Sequence, residues 1–282
     1  MISLDALSRP SGTFLMVAMD QRESLRTMLR EHGHEATDER LRGFKLAVAR
    51  ELGPYASGLL IDDAYGADVV EEAVRLVPPS CGVLLAVDLL DQEPGEIVED
   101  TRLDERAELP SGIAALKLLV IWRDDERRAE RVETCRRFIA LAQRHGVLSV
   151  LEHVVRHEDR EWAILEAARE LGAVRPSLYK CQVPFGGRAE PAAITAHCRE
   201  LDAALPCPWV VLSQGVEPAD FPAAVEAACK GGASGMLAGR AVWTATLPAD
   251  DPTELLRARS VPRLQELAAI VDAHGRPWRQ KP

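Results

Sequence analysis

Ser177-Leu178-Tyr179-Lys180-Cys181-Gln182-Val183-Pro184 is a short, mostly apolar stretch with one lysine near its centre and a proline at its end. The pattern predicts a buried strand. An ammonium group in such a strand costs several kcal/mol unless it is paired or deprotonated. A neutral lysine amine is a nucleophile, so we hypothesise that Lys180 forms a Schiff base with a carbonyl substrate. The alternative is a structural ion pair, which is the favoured interpretation for one buried lysine taken alone.

Lysine is rare in this chain. Of its 34 basic side chains, the lysines are Lys45, Lys117, Lys180, Lys230 and Lys281. Arginine, which keeps its proton inside proteins, supplies the rest of the positive charge. A lysine within a predicted strand therefore stands out as a cation that can become neutral.

The bulk composition limits the classes of function. The 282 residues fit two ordinary domains or one large α/β barrel. A net charge of −10 argues against nucleic acid or an anionic membrane as a general partner. The sequence shows no signal peptide and no membrane-length apolar run, and its six cysteines have no metal-like spacing. We therefore expect a cytoplasmic protein with reduced, mostly buried cysteines.

Eight apolar runs recur along the chain, and eight helical patterns are interspersed with them. The apolar runs span 14–19, 58–62, 82–88, 114–121, 147–152, 177–184, 209–213 and 234–238. The helical patterns span 24–31, 37–52, 68–76, 124–145, 159–171, 191–204, 218–230 and 253–274. This alternation predicts an α/β fold, a single (β/α)8 TIM barrel over 1–282 with a short lead-in helix and a C-terminal tail. An open doubly wound sheet would carry a glycine-rich turn after its first strand, and Met19-Asp20-Gln21-Arg22 is not one. The polar segment 89–111 predicts a long loop.

Polar side chains recur at the carboxyl ends of these strands, where a TIM barrel holds its active site. They are Asp20, Asp62, Asp63, Asp88, Lys117, Glu152, Lys180, Ser213 with Gln214 and Gly215, and Gly239 with Arg240. Any one of them could be a helix cap. Lys117, Glu152 and Lys180, however, lie inside or at the very end of strands, which caps do not explain.

Three of these residues suit chemistry through an imine. Lys180 would attack as the free amine, and Lys117 is a second cation that favours that neutral form. Glu152 lies on the strand between them and could act as general acid and base. The alternative is a buried ion triad that only fixes the register of the barrel.

The last two strand ends predict an anion site. Ser213-Gln214-Gly215 and Gly239-Arg240 offer backbone N–H groups, a hydroxyl and a guanidinium for a phosphate or a sulfonate. We expect no metal, because His153 and His157 in the loop after the fifth strand have no second pair of ligands. Magnesium held by the aspartates of the first three strands is the alternative.

Six runs of the chain, in order, carry a family resemblance: 18–22, 54–57, 115–123, 178–180, 212–216 and 237–243. They resemble the class I tagatose-1,6-bisphosphate aldolase family, and most of all its sulfofructosephosphate aldolase branch. The resemblance implies a metal-free, cofactor-free (β/α)8 enzyme and a homo-oligomer. It implies that Lys180 forms the Schiff base and that Glu152 is the acid/base residue. It also implies that Asp20, Gln21 and Lys117 line the substrate, with Ser213, Gly215, Gly239 and Arg240 at its anionic ends.

Some positions depart from that branch. Gln214 stands where a small residue is expected, and His153 follows Glu152 in place of proline. The run from Asp62 to Gly66 looks more like the bisphosphate branch. We include Asp62 and Gln214 among the expected substrate-binding residues.

The predicted reaction is reversible cleavage of a ketose 1-phosphate to dihydroxyacetone phosphate and an aldehyde. The preferred substrate is 6-deoxy-6-sulfofructose 1-phosphate, which gives sulfolactaldehyde. Tagatose 1,6-bisphosphate, which gives glyceraldehyde 3-phosphate, is the first alternative. A barrel isomerase, a metal-dependent lyase and a non-catalytic sugar-phosphate binding protein are the others.

Overall fold

A computed structural model describes residues 3–91, 98–106 and 108–281. Eight parallel strands close into a barrel, which confirms the predicted (β/α)8 fold. The barrel strands are β1 (Phe14–Met19), β2 (Gly58–Ile61), β3 (Gly82–Ala86), β6 (Ile113–Trp122), β7 (Leu148–Val155), β8 (Leu178–Gln182), β9 (Trp209–Leu212) and β10 (Gly235–Ala238), and β10 pairs with β1. Their continuous apolar sequences follow from burial on both faces, by the barrel interior and by the helices.

The helices surround this barrel. They are α1 (Glu23–Glu31), α2 (Asp38–Leu52), α3 (Ala67–Leu76), α4 (Arg128–Arg144), α5 (Arg160–Gly172), α6 (Pro191–Ala204), α7 (Phe221–Lys230), α8 (Arg240–Trp243), α9 (Thr253–Leu255) and α10 (Val261–His274). The expected lead-in helix is a single 3-10 turn, Leu4–Leu7. Thr37 caps the start of α2, since its hydroxyl accepts the Arg40 N–H at 3.2 Å.

One predicted helix, 253–274, is divided into three parts. A π-helical turn, Leu256–Ser260, separates α9 from α10. Pro262 lies in the first turn of α10 and has no N–H to donate. Its ring also crowds the carbonyl of the preceding turn, so the chain widens there instead of continuing as a regular α-helix.

Successive residues of a barrel strand belong alternately to two apolar layers. On β1, Phe14, Met16 and Ala18 pack in the barrel interior, whereas the residues between them pack in the layer under the helices. Leu4 and Leu7 of the first turn join the interior cluster at the amino end of the strands. That end of the barrel is therefore filled with apolar side chains.

The segment predicted as a long loop contains a hairpin. Strands β4 (Asp88–Asp91) and β5 (Asp100–Leu103) pair antiparallel, and the Thr101 hydroxyl donates to the carbonyl of Leu119 on β6 at 2.6 Å. The third barrel strand accordingly ends at Ala86, and Asp88 begins the hairpin. Residues 92–97 and 107 of the predicted loop lie outside the described residues.

The cysteines match the prediction of buried, unbridged thiols. All six are free and buried. Burial raises the pKa of Cys81, Cys135, Cys207 and Cys229 to about 12, and that of Cys181 well above its usual range. Among the described residues, no helix combines the length and the apolar character that crossing a membrane requires.

Candidate active site

Lys117, Glu152 and Lys180 continue the interior rows of their strands. Each lies two residues beyond an apolar interior residue: Ala115 on β6, Val150 on β7 and Leu178 on β8. The register pairs Glu152 with Lys180 across β7 and β8. The three charged side chains therefore form a layer directly above the apolar interior, at the carboxyl end of the barrel.

A single oxygen atom joins the three groups. Glu152 Oε2 lies 2.9 Å from Lys117 Nζ and 2.9 Å from Lys180 Nζ. Neither contact has the angles of a hydrogen bond, so this buried oxygen is an unsatisfied acceptor between two amines. Such an oxygen can exchange protons with a group close to Lys180.

Lys117 has two further carboxylate partners. Its Nζ donates to Asp20 Oδ2 at 2.8 Å and to Asp88 Oδ1 at 3.1 Å. Burial acts to lower the pKa of Lys117, but Asp20, Asp88 and Glu152 together raise it well above its usual range. Burial acts to raise the pKa of Asp20, yet Lys117 and Lys180 bring it below the ordinary value of 3.8. Lys117 is therefore a fixed cation beside Lys180.

These groups line a cavity of about 490 Å³ at the carboxyl end of the barrel. Its lining includes the predicted site residues Asp20, Gln21, Lys117, Glu152, Lys180, Ser213, Gln214, Gly239 and Arg240. One wall is apolar, since Ile121, Val154 and Leu212, on β6, β7 and β9, form a small buried cluster with Leu119 and Val98 packed against it. The cavity thus offers a charged floor and an apolar side to one small polar ligand.

Arg240 is the cation at the β10 side of this cavity. Within the described residues, no carboxylate oxygen lies within 4.0 Å of its guanidinium. Burial lowers the pKa of Arg240, against the opposing charges of Glu152 and Asp20. A Cβ on the preceding Gly239 would lie 2.4 Å from the carbonyl oxygen of Ala18, so glycine is needed there for β10 to close against β1. Arg240 therefore keeps its donors available to a ligand.

Two predicted substrate-binding residues are not among the described residues that line the cavity. Strand β2 ends at Ile61, so the Asp62 side chain does not continue the row of β2 side chains that face the barrel interior. The Asp62 carboxylate turns to α2, where Oδ2 lies 2.5 Å from Lys45 Nζ. Gly215 lies in the turn after β9, at a φ of +81° that favours glycine, and outside the lining as well.

Arg22 and Arg156 line the cavity and are not among the predicted site residues, whereas Asp88, which the sequence places at a strand end, lines it as expected. Arg22 follows the predicted Asp20 and Gln21 directly, and its Nη1 donates to the carbonyl of Asp88 at 2.7 Å. Arg156 donates from Nη1 to Glu99 Oε1 at 3.1 Å, at the mouth of the cavity. Arg22 could have been found from the sequence, because it follows the predicted end of the first strand. Arg156 could not, because it lies one residue beyond β7, which is longer than predicted.

The structure corrects the position of His153. It lies inside β7, not in a following loop, because β7 continues to Val155. Its fully buried ring faces the helices and lies 5.3 Å from the ring of Tyr179. Burial, helped by Arg160, lowers the pKa of His153 to about 3, so the imidazole is neutral.

The aspartates proposed as magnesium ligands contact cationic side chains. Asp20 and Asp88 both accept from Lys117, and Asp62 pairs with Lys45. Among the described residues, histidine, cysteine and carboxylate side chains form no group of three or more suited to a metal ion.

The barrel thus carries a cluster of buried amines and carboxylates at its carboxyl end. The family model described as "DeoC/LacD family aldolase" matches residues 14–245, so the chain belongs to this aldolase family and is a carbon–carbon lyase. The tagatose 1,6-diphosphate aldolases of Staphylococcus aureus strains JH9 and Newman are each 26% identical to it, over 99% of this chain and 97% of theirs.

Solved structures share the fold. The crystal structure of an archaeal fructose 1,6-bisphosphate aldolase matches with a TM-score of 0.59 at 17% identity, over 96% of this chain and 98% of its own. A putative orotidine 5'-phosphate decarboxylase from Streptomyces avermitilis matches with a TM-score of 0.53 at 16% identity, over 92% and 91%. At this identity both are evidence for the barrel alone.

Proposed function

We propose that this protein is a class I aldolase that cleaves a ketose 1-phosphate to dihydroxyacetone phosphate and an aldehyde through a Schiff base on Lys180. The observation that carries the proposal is the position of Glu152 Oε2, 2.9 Å from both Lys180 and the fixed cation Lys117. A nucleophilic amine needs a neighbouring cation to favour its neutral form and a proton carrier within reach. Both requirements are met here by side chains that line one cavity.

The proposed steps use these two residues. Glu152 takes a proton from the Lys180 ammonium, and the free amine adds to the C2 carbonyl of the ketose. Glu152 then returns that proton to the carbinolamine hydroxyl, which leaves as water and gives the iminium. Glu152, now a carboxylate, takes the proton of the C4 hydroxyl as the C3–C4 bond breaks. The aldehyde departs and the bonding electrons form an enamine on the lysine. Protonation at C3 and hydrolysis then release dihydroxyacetone phosphate and the free amine.

We assign the 1-phosphate to the β9 and β10 side of the cavity. Ser213 and Gly239 lie beside Arg240, whose guanidinium has no carboxylate within 4.0 Å among the described residues. An unpaired arginine with a hydroxyl and backbone N–H groups suits a tetrahedral oxyanion.

For the far end of the substrate we propose a sulfonate, as in 6-deoxy-6-sulfofructose 1-phosphate. Arg22, which follows Gln21 in the chain, is another arginine of the cavity, and Asp88 and Asp62 already compensate its charge, at 3.4 Å and 3.8 Å. A partly compensated arginine favours an anion of lower charge, and a sulfonate carries less charge than a phosphate. A second candidate is tagatose 1,6-bisphosphate, which is favoured by the names of the Staphylococcus aureus relatives.

Borohydride reduction with dihydroxyacetone phosphate tests the mechanism. We expect mass spectrometry of the reduced protein to place the adduct on Lys180. An enzyme that turns over without any trapped adduct, and stops on addition of a chelator, would be a metal-dependent lyase instead. Saturable ligand binding without turnover would identify a binding protein.

The substrate is tested separately, by rates with the sulfonated and the phosphorylated ketose measured side by side. We expect the higher kcat/KM with the sulfonated compound. A higher value with tagatose 1,6-bisphosphate would reverse the preference and leave the Schiff-base mechanism intact.

A further inference from the structure

Lys45 is a second buried lysine of the same region, on the other side of the barrel wall. It lies on α2, is fully buried, and is not among the described residues that line the cavity. Its ammonium donates to the carbonyl oxygens of Met19 and Gln21, at 2.8 Å each. These two carbonyls belong to the residues on either side of Asp20. Lys45 therefore holds the backbone that presents Asp20 to Lys117.

The same ammonium starts a chain of alternating charges that ends at the active site. Asp62 Oδ2 lies 2.5 Å from Lys45, and Asp62 Oδ1 lies 3.8 Å from Arg22 Nε. Arg22 contacts the Asp88 carboxylate at 3.4 Å, and Asp88 Oδ1 lies 3.1 Å from Lys117 Nζ. Lys117 then shares Glu152 with Lys180.

We propose that Lys45 is a positioning residue of the aldolase, which fixes the end of β1 and, through Asp62, keeps Arg22 directed at Asp88. The proposal rests on the proposed function, since it concerns how the charged groups around Lys180 are held in position. Without the ammonium, the carbonyls of Met19 and Gln21 lose a shared donor. The Asp62 carboxylate, buried and uncompensated, would then draw Arg22 away from Asp88, because it is the nearest remaining cation.

The alternative is that Lys45 serves stability alone. Loss of one partner of a buried ion pair destabilises a protein strongly, whatever its distance from the active site. The experiment must therefore separate the loss of folding from the loss of chemistry. Removing both charges together achieves this, because it leaves no buried unpaired ion while the two carbonyls still lack their donor.

The variants are Lys45→Met, Asp62→Asn and the double variant, with Lys230→Met as a matched control. Lys230 is an exposed lysine on α7 that pairs with Glu226 four residues earlier. The measurements are the melting temperature, the rate of borohydride trapping with dihydroxyacetone phosphate, and kcat and KM for the cleaved ketose.

We expect Lys45→Met to lower both the melting temperature and the trapping rate. In the double variant the melting temperature should recover, while trapping stays slower than in the wild type by about ten-fold or more. Lys230→Met should match the wild type in trapping. Recovery of the trapping rate together with the melting temperature would overturn the positioning role.

Asp62→Asn keeps the test valid if Lys45→Met does not fold. A positioning role predicts that Asp62→Asn traps dihydroxyacetone phosphate about ten-fold more slowly, because Asp62 acts through Arg22 on Asp88 and Lys117 and this ligand lacks the far end assigned to Arg22. Trapping at the wild-type rate, with only KM for the cleaved ketose raised, would overturn it. If the wild type itself traps no adduct, the proposed function fails; if every variant traps at the wild-type rate, only the role of Lys45 fails.

Discussion

The two ends of the barrel interior are built from the same strands and the same rows of side chains, yet one end is apolar and the other is charged. At the amino end, Phe14, Met16 and Leu84 are fully buried and purely apolar. At the carboxyl end, Lys117 and Glu152 stand two residues further along their rows and carry charges. The apolar end can lose one side chain without affecting the charge of its neighbours. At the charged end each group depends on its partners, so a substitution changes the state of the groups that remain.

The largest expected effect is at the charged end. Lys180→Met removes the proposed nucleophile but leaves Glu152 paired with Lys117, and Arg240 in place. We expect kcat to fall by roughly 10⁴-fold or more while ligand binding persists. Turnover and the thermal shift caused by dihydroxyacetone phosphate measure the two properties. Turnover near the wild-type level would leave the cluster as an ion triad that only fixes the register of the barrel.

A substitution at the apolar end should have the opposite signature. Met16→Ala opens a cavity in the barrel interior, and we expect it to lower the free energy of unfolding by about 2–5 kcal/mol. The kcat of the folded fraction should stay at the wild-type value. Urea unfolding and active-site-normalised rates provide the measurements. A large fall in kcat would show that the two ends are not independent.

Arg240→Ala should affect binding more than chemistry. Loss of a charge-assisted clamp on the phosphate is expected to cost about 1.5–3 kcal/mol, seen as a higher KM with kcat changed little. Arg188→Ala is a suitable control, since Arg188 is exposed and pairs only weakly with Glu217, at 3.5 Å. A KM equal to that of the wild type would show that Arg240 does not bind the phosphate.

The smallest expected effect is a difference between the two ends in how the free energy of unfolding depends on pH. Because the pKa of Asp20 is lowered in the folded protein, its stabilisation is complete above the ordinary value of 3.8 and is lost as the pH falls below it. We expect Asp20→Asn to remove a pH dependence of at most about 1.4 kcal/mol per pH unit in that range. The deficit of Met16→Ala should be the same at every pH. Unfolding curves between pH 7 and pH 3 decide between the two behaviours, and a parallel pH dependence of wild type and Asp20→Asn would contradict this expectation.

The barrel could be predicted because burial on both faces leaves an unmistakable pattern in the strands. The β4–β5 hairpin could not, since its strands are only four residues long and partly exposed, and a polar segment of this kind also fits a loop. The sequence places His153 in a loop because the apolar run predicts a strand that ends at Glu152, whereas β7 extends by three more residues.

The interior position of a site residue could be predicted where a charged side chain interrupts an apolar strand. Glu152 and Lys180 interrupt apolar strands, and their interior placement follows from alternation. Asp62 is not among the described residues that line the cavity and pairs with Lys45 instead. The sequence could not show this, because a strand-end aspartate looks the same in sequence whether it meets a ligand or a buried lysine. The role of Lys45 was hidden for a related reason: a helical lysine is normally exposed, and only the packing of α2 against the end of β1 shows its partners.

The six cysteines provide a means to observe the folded state. All are buried, and burial disfavours their thiolate forms. A thiol reagent can react with them only when the chain opens, so the alkylation rate of each cysteine reports the free energy of the opening that exposes it. Cys135 lies on the buried face of α4, Cys181 lies on the strand of the proposed nucleophile, and Cys229 lies in the last turn of α7. Peptide mapping of the alkylated sites would therefore show, without any added label, whether substrate tightens the whole barrel or only the half that surrounds Lys180.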